Sequence, residues 1–448
     1  MSVAVKPLEF EQTYYSISHT MQHDTIVTAP GSLGDVNPML GIARSLQARG
    51  RRVLFLAAEP YLHLAERAGL QTRVLTSRAE FDVLVKDPNV WHPRRGPKLL
   101  LDKMLGDSLN PHYEWLLQSC VPGKTLLVSH LLDFGGRIFR DRFPDTRLAT
   151  VVLAPVMFRS LTAPPRVSSF GIEHRMPRSL LRAAYWAADR FIDSLALKHI
   201  NGLRTRIGLA PVRRMLNQWW MSPDVTIAMF PEWFSVPAID LPRQVNCVGF
   251  PLTDSGSLVS PEVADKLERT LRAFGGERPV VFAPGSAHYS ARSFLNVAVE
   301  ACRRLKLPAV LLSPDLDEVP ANLPSNVVAA EYLPFSKLLP QARAVVHHGG
   351  VGTTSQCMAA KVPQVVLPMA FDQFDNADRV AKLGCGSWMP MRRVTVDSLV
   401  QHLSQLGQTA KATEQIAGRL VASRLGVAST DGSDACDRAA ELCLGQLS

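Results

Sequence analysis

The 448-residue chain is 46% hydrophobic and 20% charged, with a mean hydropathy of +0.04. That balance supports a sizeable core and excludes disordered, collagenous and coiled-coil chains; at roughly 100–200 residues per domain, it predicts two large domains. The net charge is +9, and the seven cysteines are scattered without a C-x-x-C pair, which argues against a disulfide framework or a zinc site.

Residues 1–22 carry Glu9 and Glu11 among many polar residues and lack the basic start and apolar run of a secretory signal. They predict a loose arm on a cytoplasmic protein. The longest apolar run in the first two hundred residues, about Leu148 to Phe158, is well short of the roughly 20 residues that span a bilayer. After the arm, Thr25 to Ala29 reads as a buried strand, followed by a turn at Pro30 to Gly34. A helix is expected from Pro38 to Ala48, with Asn37 as its cap. Strands are expected at Arg52 to Ala57, Thr125 to Ser129 and Leu148 to Leu153, with a helix near Tyr61 to Ala68.

The stretch Arg166 to Arg214 holds ten Lys/Arg against three acids, and Leu180, Leu181, Ala184, Tyr185, Ala188, Phe191, Ile192 and Leu195 recur at helical spacing. It reads as amphipathic helix with a solvated basic face, the alternative being a face that meets the inner membrane. No nucleic-acid module is present. Trp186, Trp219 and Trp220 are available to line an apolar channel, core packing being the alternative for each.

Beyond Pro251 the chain turns polar, and the same grammar restarts with a strand at Pro279 to Ala283 and a helix from about Ser290 to Leu305. The tetrapeptide Ala-Pro-Gly-Ser closes a strand at 29–32 and again at 283–286. Further strands are expected at Ala309 to Leu312, Val327 to Ala330, Ala344 to His347 and Gln364 to Leu367. Together these predict two Rossmann-like domains, 23–250 and 263–430, with a linker at 251–262 and a final helix within 431–448.

The glycine-rich turn His347-His-Gly-Gly-Val-Gly-Thr-Thr354 falls at a strand end and a helix start, where unpaired N–H groups and the helix dipole favour a phosphate. It is not a Walker loop, and neither half carries the full G-x-G-x-x-G of dinucleotide enzymes. Asp372 and Gln373, after the next strand, pair a carboxylate with an amide of both polarities, a set suited to sugar hydroxyls.

These segments, with Gly31-Ser-Leu-Gly-Asp35 and Pro38, resemble the signatures of family 1 glycosyltransferases. The resemblance implies an α/β GT-B fold: two Rossmann-like domains facing a cleft, nucleotide-sugar donor on the second half, acceptor on the first, and the last helix crossing back. By that resemblance Ser286, His348, Gly350, Val351, Gly352 and Thr353 hold the diphosphate, Tyr332 faces the base, and Asp372 with Gln373 holds the sugar. Gln356 stands where plant members have a glutamate gripping the ribose, which suits a deoxyribose and hence a dTDP-sugar.

Asp35 resembles the proposed general base of bacterial members, and His130 falls where His-dependent relatives carry a partner aspartate. Gly34 and Trp91 are expected on the acceptor side, while Asp133 and Asp375 are structural candidates. The implied reaction is inverting transfer with no cofactor and no metal, the helix terminus and His348 stabilising the leaving diphosphate. Asp87-Pro-Asn-Val-Trp-His-Pro93, Phe230-Pro-Glu-Trp-Phe234 and Val248-Gly-Phe-Pro-Leu252 are similar to the rhamnosyltransferases of bacterial mono-rhamnolipid synthesis. That likeness implies dTDP-L-rhamnose as donor and a hydroxyacyl lipid such as a 3-(3-hydroxyalkanoyloxy)alkanoate as acceptor. A polyketide or other small aglycone is the alternative acceptor; an epimerase, a hydrolase or a non-catalytic partner are rival roles.

Overall fold

The computed structural model describes residues 23–92, 95–237, 240–252, 261–285, 291–426 and 434–447. The expected arm, most of the expected linker and Ser286 lie outside these described residues. Strands β1 (Thr25–Ala29), β2 (Val53–Ala58), β3 (Gln71–Thr76), β4 (Leu126–His130), β5 (Arg147–Val152), β6 (Val225–Ala228) and β7 (Val245–Cys247) form a first parallel sheet in the order β3-β2-β1-β4-β5-β6-β7. Strands β8 (Val280–Ala283), β9 (Ala309–Leu312), β10 (Val327–Ala330), β11 (Ala344–His347), β12 (Gln364–Val366) and β13 (Gly386–Trp388) form a second, in the order β10-β9-β8-β11-β12-β13. The central strands are continuously buried and largely apolar, as parallel strands covered by helices on both faces must be.

Each sheet reverses its winding direction once, between β1 and β4 in the first and between β8 and β11 in the second. The crevice beyond the carboxyl ends of strands at such a point is where open α/β sheets bind ligands. The two halves meet through a shared apolar core in which Phe230, Phe234 and Phe250 pack with Val380, Ile416 and Leu420. Polar pins flank it: the Arg166 N–H donates to Asp375 at 2.9 Å, the Arg166 Nε–H to Asp378 at 2.9 Å, and Arg379 to the Phe234 carbonyl at 2.6 Å. The Ala435–Gly445 helix buries Ala435, Ala439 and Cys443 in the core of the first sheet. Asp437 pairs with Arg49 at 2.7 Å, and Arg438 donates to the Val248 carbonyl at 2.9 Å.

One expected element starts elsewhere. The helix after β1 runs Leu33–Ala48, not from Pro38, with Ser32 as its cap and Pro38 inside it. The Ser32 side chain and the Asp35 carboxylate close a capping box, and that local gain outweighs the single backbone N–H that Pro38 cannot supply.

Candidate active site

The two Ala-Pro-Gly-Ser turns explain how the site is assembled. Gly31 and Gly285 both have φ near +120°, a region closed to side chains. A Cβ on Gly31 would lie 2.4 Å from Asp35 Oδ2, and one on Gly285 would lie 3.1 Å from the His348 ring. In each half the turn after the first central strand thus presses against one functional side chain.

In the first half that side chain is Asp35, in the first turn of the helix that follows β1. Its Oδ2 accepts the Ser32 N–H at 2.9 Å and the Ser32 hydroxyl at 3.3 Å. Its Oδ1 lies 3.5 Å from Nε2 of His130, the last residue of β4, so the reversal point of the first sheet brings the pair together. Nδ1 of His130 accepts the Leu132 N–H at 3.3 Å, which leaves the proton of the neutral ring on Nε2, directed at Asp35. Burial pushes the imidazole below its usual range, against the opposing pull of Asp35 and Asp133. His130 is therefore held neutral beside Asp35, with Nε2 facing its carboxylate, and is not a base.

Asp133 sits behind this pair. Burial works upward on its carboxyl, but His112 at 3.0 Å, the Gly136 N–H and the Ser129 hydroxyl hold it down at about 2. Its partners are all structural, and it caps the Phe134–Arg142 helix.

In the second half, His347 ends β11 and is fully buried. Its Nδ1 accepts the Gly349 N–H at 3.1 Å, and its Nε2 donates to Gln364 Oε1 at 2.9 Å; burial, then neighbouring His348, takes the ring down to about 3. This neutral imidazole shapes the turn. Gly349 is at φ +99°, and a Cβ on Gly350 would meet His348 Nε2 at 2.6 Å, so both glycines are required by space. The first bond of the Val351–Ala359 helix runs from the Thr354 N–H to the Gly350 carbonyl at 3.0 Å. The N–H groups of Val351, Gly352 and Thr353 precede it at the positive end of the helix dipole, beside His348, an arrangement that favours an anion.

Gly34 and Pro38 from the first half and Val351, Gly352 and Gln356 from the second line one cavity between the halves. Gln356 also borders a neighbouring concavity with Phe335 and Ser336. Tyr332, half-buried after β10, is not among the residues lining either one.

Asp372 and Gln373 follow β12. Asn376 joins them to the glycine turn, its amide donating to the Gly349 carbonyl at 2.9 Å and to Asp372 Oδ2 at 2.8 Å. Burial, with added repulsion from Asp35 and Asp375, raises the Asp372 carboxyl to about 7 against the Asn376 bond. Asp35 and Asp372, from opposite halves, thus share one field across the cleft. Gln373 corrects the reading of an amide offering both polarities: its oxygen already accepts the Met369 and Ala370 N–H groups, at 2.8 and 3.2 Å, which leaves only the amide's donor side. Asp375 is buried under Arg166 and Arg379 as an interdomain pin.

Two aromatic rings meet between the halves: Trp91 lies 5.9 Å from Phe371 in an edge-to-face contact. Phe371, directly before Asp372, is at φ +55°, a strained position for a bulky residue. Of the three candidate channel tryptophans, Trp219 is core, donating to Asp141 at 2.7 Å between Arg137 and Arg204. Trp220 donates to the Leu131 carbonyl, and Trp186 stands at the surface.

Residues 310–426 match the family described as Erythromycin biosynthesis protein CIII-like, C-terminal domain. The chain is 29% identical over 387 residues to O-mycaminosyltylonolide 6-deoxyallosyltransferase of Streptomyces fradiae, covering 82% of this chain and 86% of that one. The chain is a glycosyltransferase of GT-B fold. In fold it matches the kitacinnamycin glycotransferase with a TM-score of 0.70 at 20% identity, over 95% and 99% of the two chains. It also matches the spinosyn rhamnosyltransferase solved with thymidine diphosphate, with a TM-score of 0.60 at 18% identity, over 89% and 96%. Among the described residues of this glycosyltransferase, no helix is long and apolar enough to cross a membrane, and no group of three or more His, Cys, Asp or Glu could hold a metal ion.

The raised Asp372 carboxyl has a measurable consequence. The folded protein keeps a proton that the unfolded chain gives up above about pH 4. Unfolding then releases a proton, so this group's contribution to stability falls as pH rises from about 4 to about 7. Asp372→Asn removes that dependence. Denaturant titrations across this window should show the variant's stability climbing relative to the parent; a difference flat in pH would contradict the assignment.

Proposed function

We propose that this glycosyltransferase catalyses inverting, metal-independent transfer of a 6-deoxyhexose, L-rhamnose in particular, from its dTDP donor to a hydroxyl of an apolar acceptor. The acceptor class we favour is a hydroxyacyl lipid such as a 3-(3-hydroxyalkanoyloxy)alkanoate, giving a mono-rhamnolipid. The carrying observation is the carboxylate of Asp35 facing, across one cleft, the glycine turn and Asp372 of the other half. Asp35 takes the acceptor proton while His130 Nε2–H steadies the carboxylate. A carboxylate is a weak base toward an alcohol, so proton transfer is late and concerted with departure of the diphosphate. The N–H groups of Val351, Gly352 and Thr353, with His348, take up the charge on that leaving group. Asp372 and the Gln373 amide orient the sugar, Tyr332 and Gln356 hold the nucleoside, Ser286 adds a phosphate donor, and Gly34 and Trp91 flank the acceptor.

The donor choice rests on Gln356, which accepts and donates one hydrogen bond each where a carboxylate would accept two from a ribose. Thymidine diphosphate in the spinosyn rhamnosyltransferase of the same fold supports it. Gln356→Glu should raise kcat/KM for UDP-sugars over dTDP-sugars about tenfold, the worth of one charge-assisted bond. An unchanged ratio would remove the argument.

A second acceptor reading, a polyketide aglycone, is favoured by the Streptomyces relative, whose name gives a tylonolide acceptor. A mass-spectrometric panel crossing dTDP-L-rhamnose and UDP-glucose with a hydroxyacyl lipid and a macrolide aglycone, EDTA present throughout, separates the two. Lipid rhamnoside from dTDP-rhamnose supports the proposal. Transfer to the macrolide alone supports the second reading, and activity abolished by EDTA and restored by a divalent cation would contradict metal independence.

A further inference from the structure

The segment between β5 and β6 has a surface that the cleft does not use. Val167, Phe170 and Ile172, in a loop, are 63%, 67% and 53% exposed. On the Arg178–Arg206 helix, Leu180, Trp186 and Phe191 are 53%, 61% and 47% exposed, values unusual for large apolar side chains grouped in one segment. Arg182, Trp186 and Arg190 follow one another at four-residue spacing, so they share one exposed side of that helix, with exposed Ala183 and Ala187 beside them. Arg175 and Arg178, also exposed, lie at its start.

The acids of this segment are all turned inward. Glu173 is buried and accepts the Val167 N–H at 2.9 Å. Asp189 is fully buried against Arg159 at 2.6 and 3.0 Å, and Asp193 accepts the N–H groups of Arg214 and Met215 at 2.9 Å each. Asp240, whose carboxylate feels Arg178, is taken up by the hydroxyls of Ser160 and Thr162. What faces outward is apolar and cationic, with no acid from this segment to offset it.

We propose that this loop and the exposed side of the Arg178–Arg206 helix form a docking face for an anionic lipid bilayer. The charge complementarity selects the occupant: aromatic and aliphatic side chains enter the interfacial zone while arginines reach the headgroup phosphates. The loop is also tied to the donor half, through Arg166 to Asp375 and Asp378 and through Arg392 stacked over Phe170 at 5.9 Å. Asp375 and Asp378 lie on the helix that opens with Gln373. A bilayer held by this face would border the seam between the halves. The proposal stands on the surface alone and holds whichever acceptor is used.

Sedimentation of the full chain with vesicles of phosphatidylglycerol and phosphatidylcholine, against phosphatidylcholine alone, tests it. Binding is expected to the anionic vesicles only and to weaken as salt is raised. Arg182→Gln with Arg190→Gln should weaken partitioning about thirtyfold, near fivefold per arginine. Trp186→Ser should remove a blue shift of tryptophan fluorescence on binding, and the double arginine variant should still transfer sugar to a soluble acceptor at the parental rate. Equal binding to both vesicle types, binding unchanged in the arginine variant, or a solution dimer that shields Trp186 in place of lipid would each overturn the proposal.

Discussion

Asp35→Asn should bind the dTDP donor as tightly as the parent and transfer its sugar about a thousandfold more slowly, the usual span for removing a general base. The asparagine keeps the shape of the side chain and can still accept the Ser32 N–H, so the helix start is retained. What it loses is the basic oxygen now facing His130 Nε2 at 3.5 Å. His130 cannot substitute, because its Nδ1 lone pair already accepts the Leu132 N–H and burial disfavours its charged form. Calorimetry with dTDP and a timed transfer assay separate the effects. A loss of donor affinity equal to the loss of rate would place Asp35 in donor binding and remove it as the base.

His348→Ala is the second large effect. The imidazole lies against both glycine turns of the donor half, within 3.1 Å of where a Gly285 side chain would begin and 2.6 Å of where a Gly350 side chain would begin. It therefore borders the start of the Val351–Ala359 helix, the position proposed for the leaving diphosphate. Removing one pre-set donor to a developing anion costs about a hundredfold to a thousandfold in kcat, with the larger share expressed in the transition state. The expected signature is a fall in kcat with a smaller change in KM. A change confined to KM would assign His348 to ground-state binding alone.

How much of this was legible before the structure follows from what each residue depends on. Strands β9, β10 and β11 fall on the residues expected, because buried parallel strands are short apolar runs closed by proline, glycine or a charge. The first helix was misplaced because Pro38 and Asn37 imitate a start, although Ser32 and Asp35 stand three apart as a capping box should. The misplacement matters, since Asp35 belongs to the helix and owes its orientation to Ser32. Asp35, His348 and Asp372 were visible as residues through the family signatures. The residues that hold them were not: His347, Gln364 and Asn376 act by hydrogen bonds between elements distant in sequence, brought together by the order of the second sheet. The exposure of Trp186 was equally hidden, because helical spacing alone does not tell which face the rest of the chain covers.

The anomeric configuration of the product tests the account most directly. With Asp35 deprotonating an acceptor that attacks opposite the diphosphate, a single displacement must invert the sugar carbon. Nuclear magnetic resonance of the glycoside formed from dTDP-β-L-rhamnose should show the α-linkage. A β-linked product would require a double displacement and would contradict the role given to Asp35.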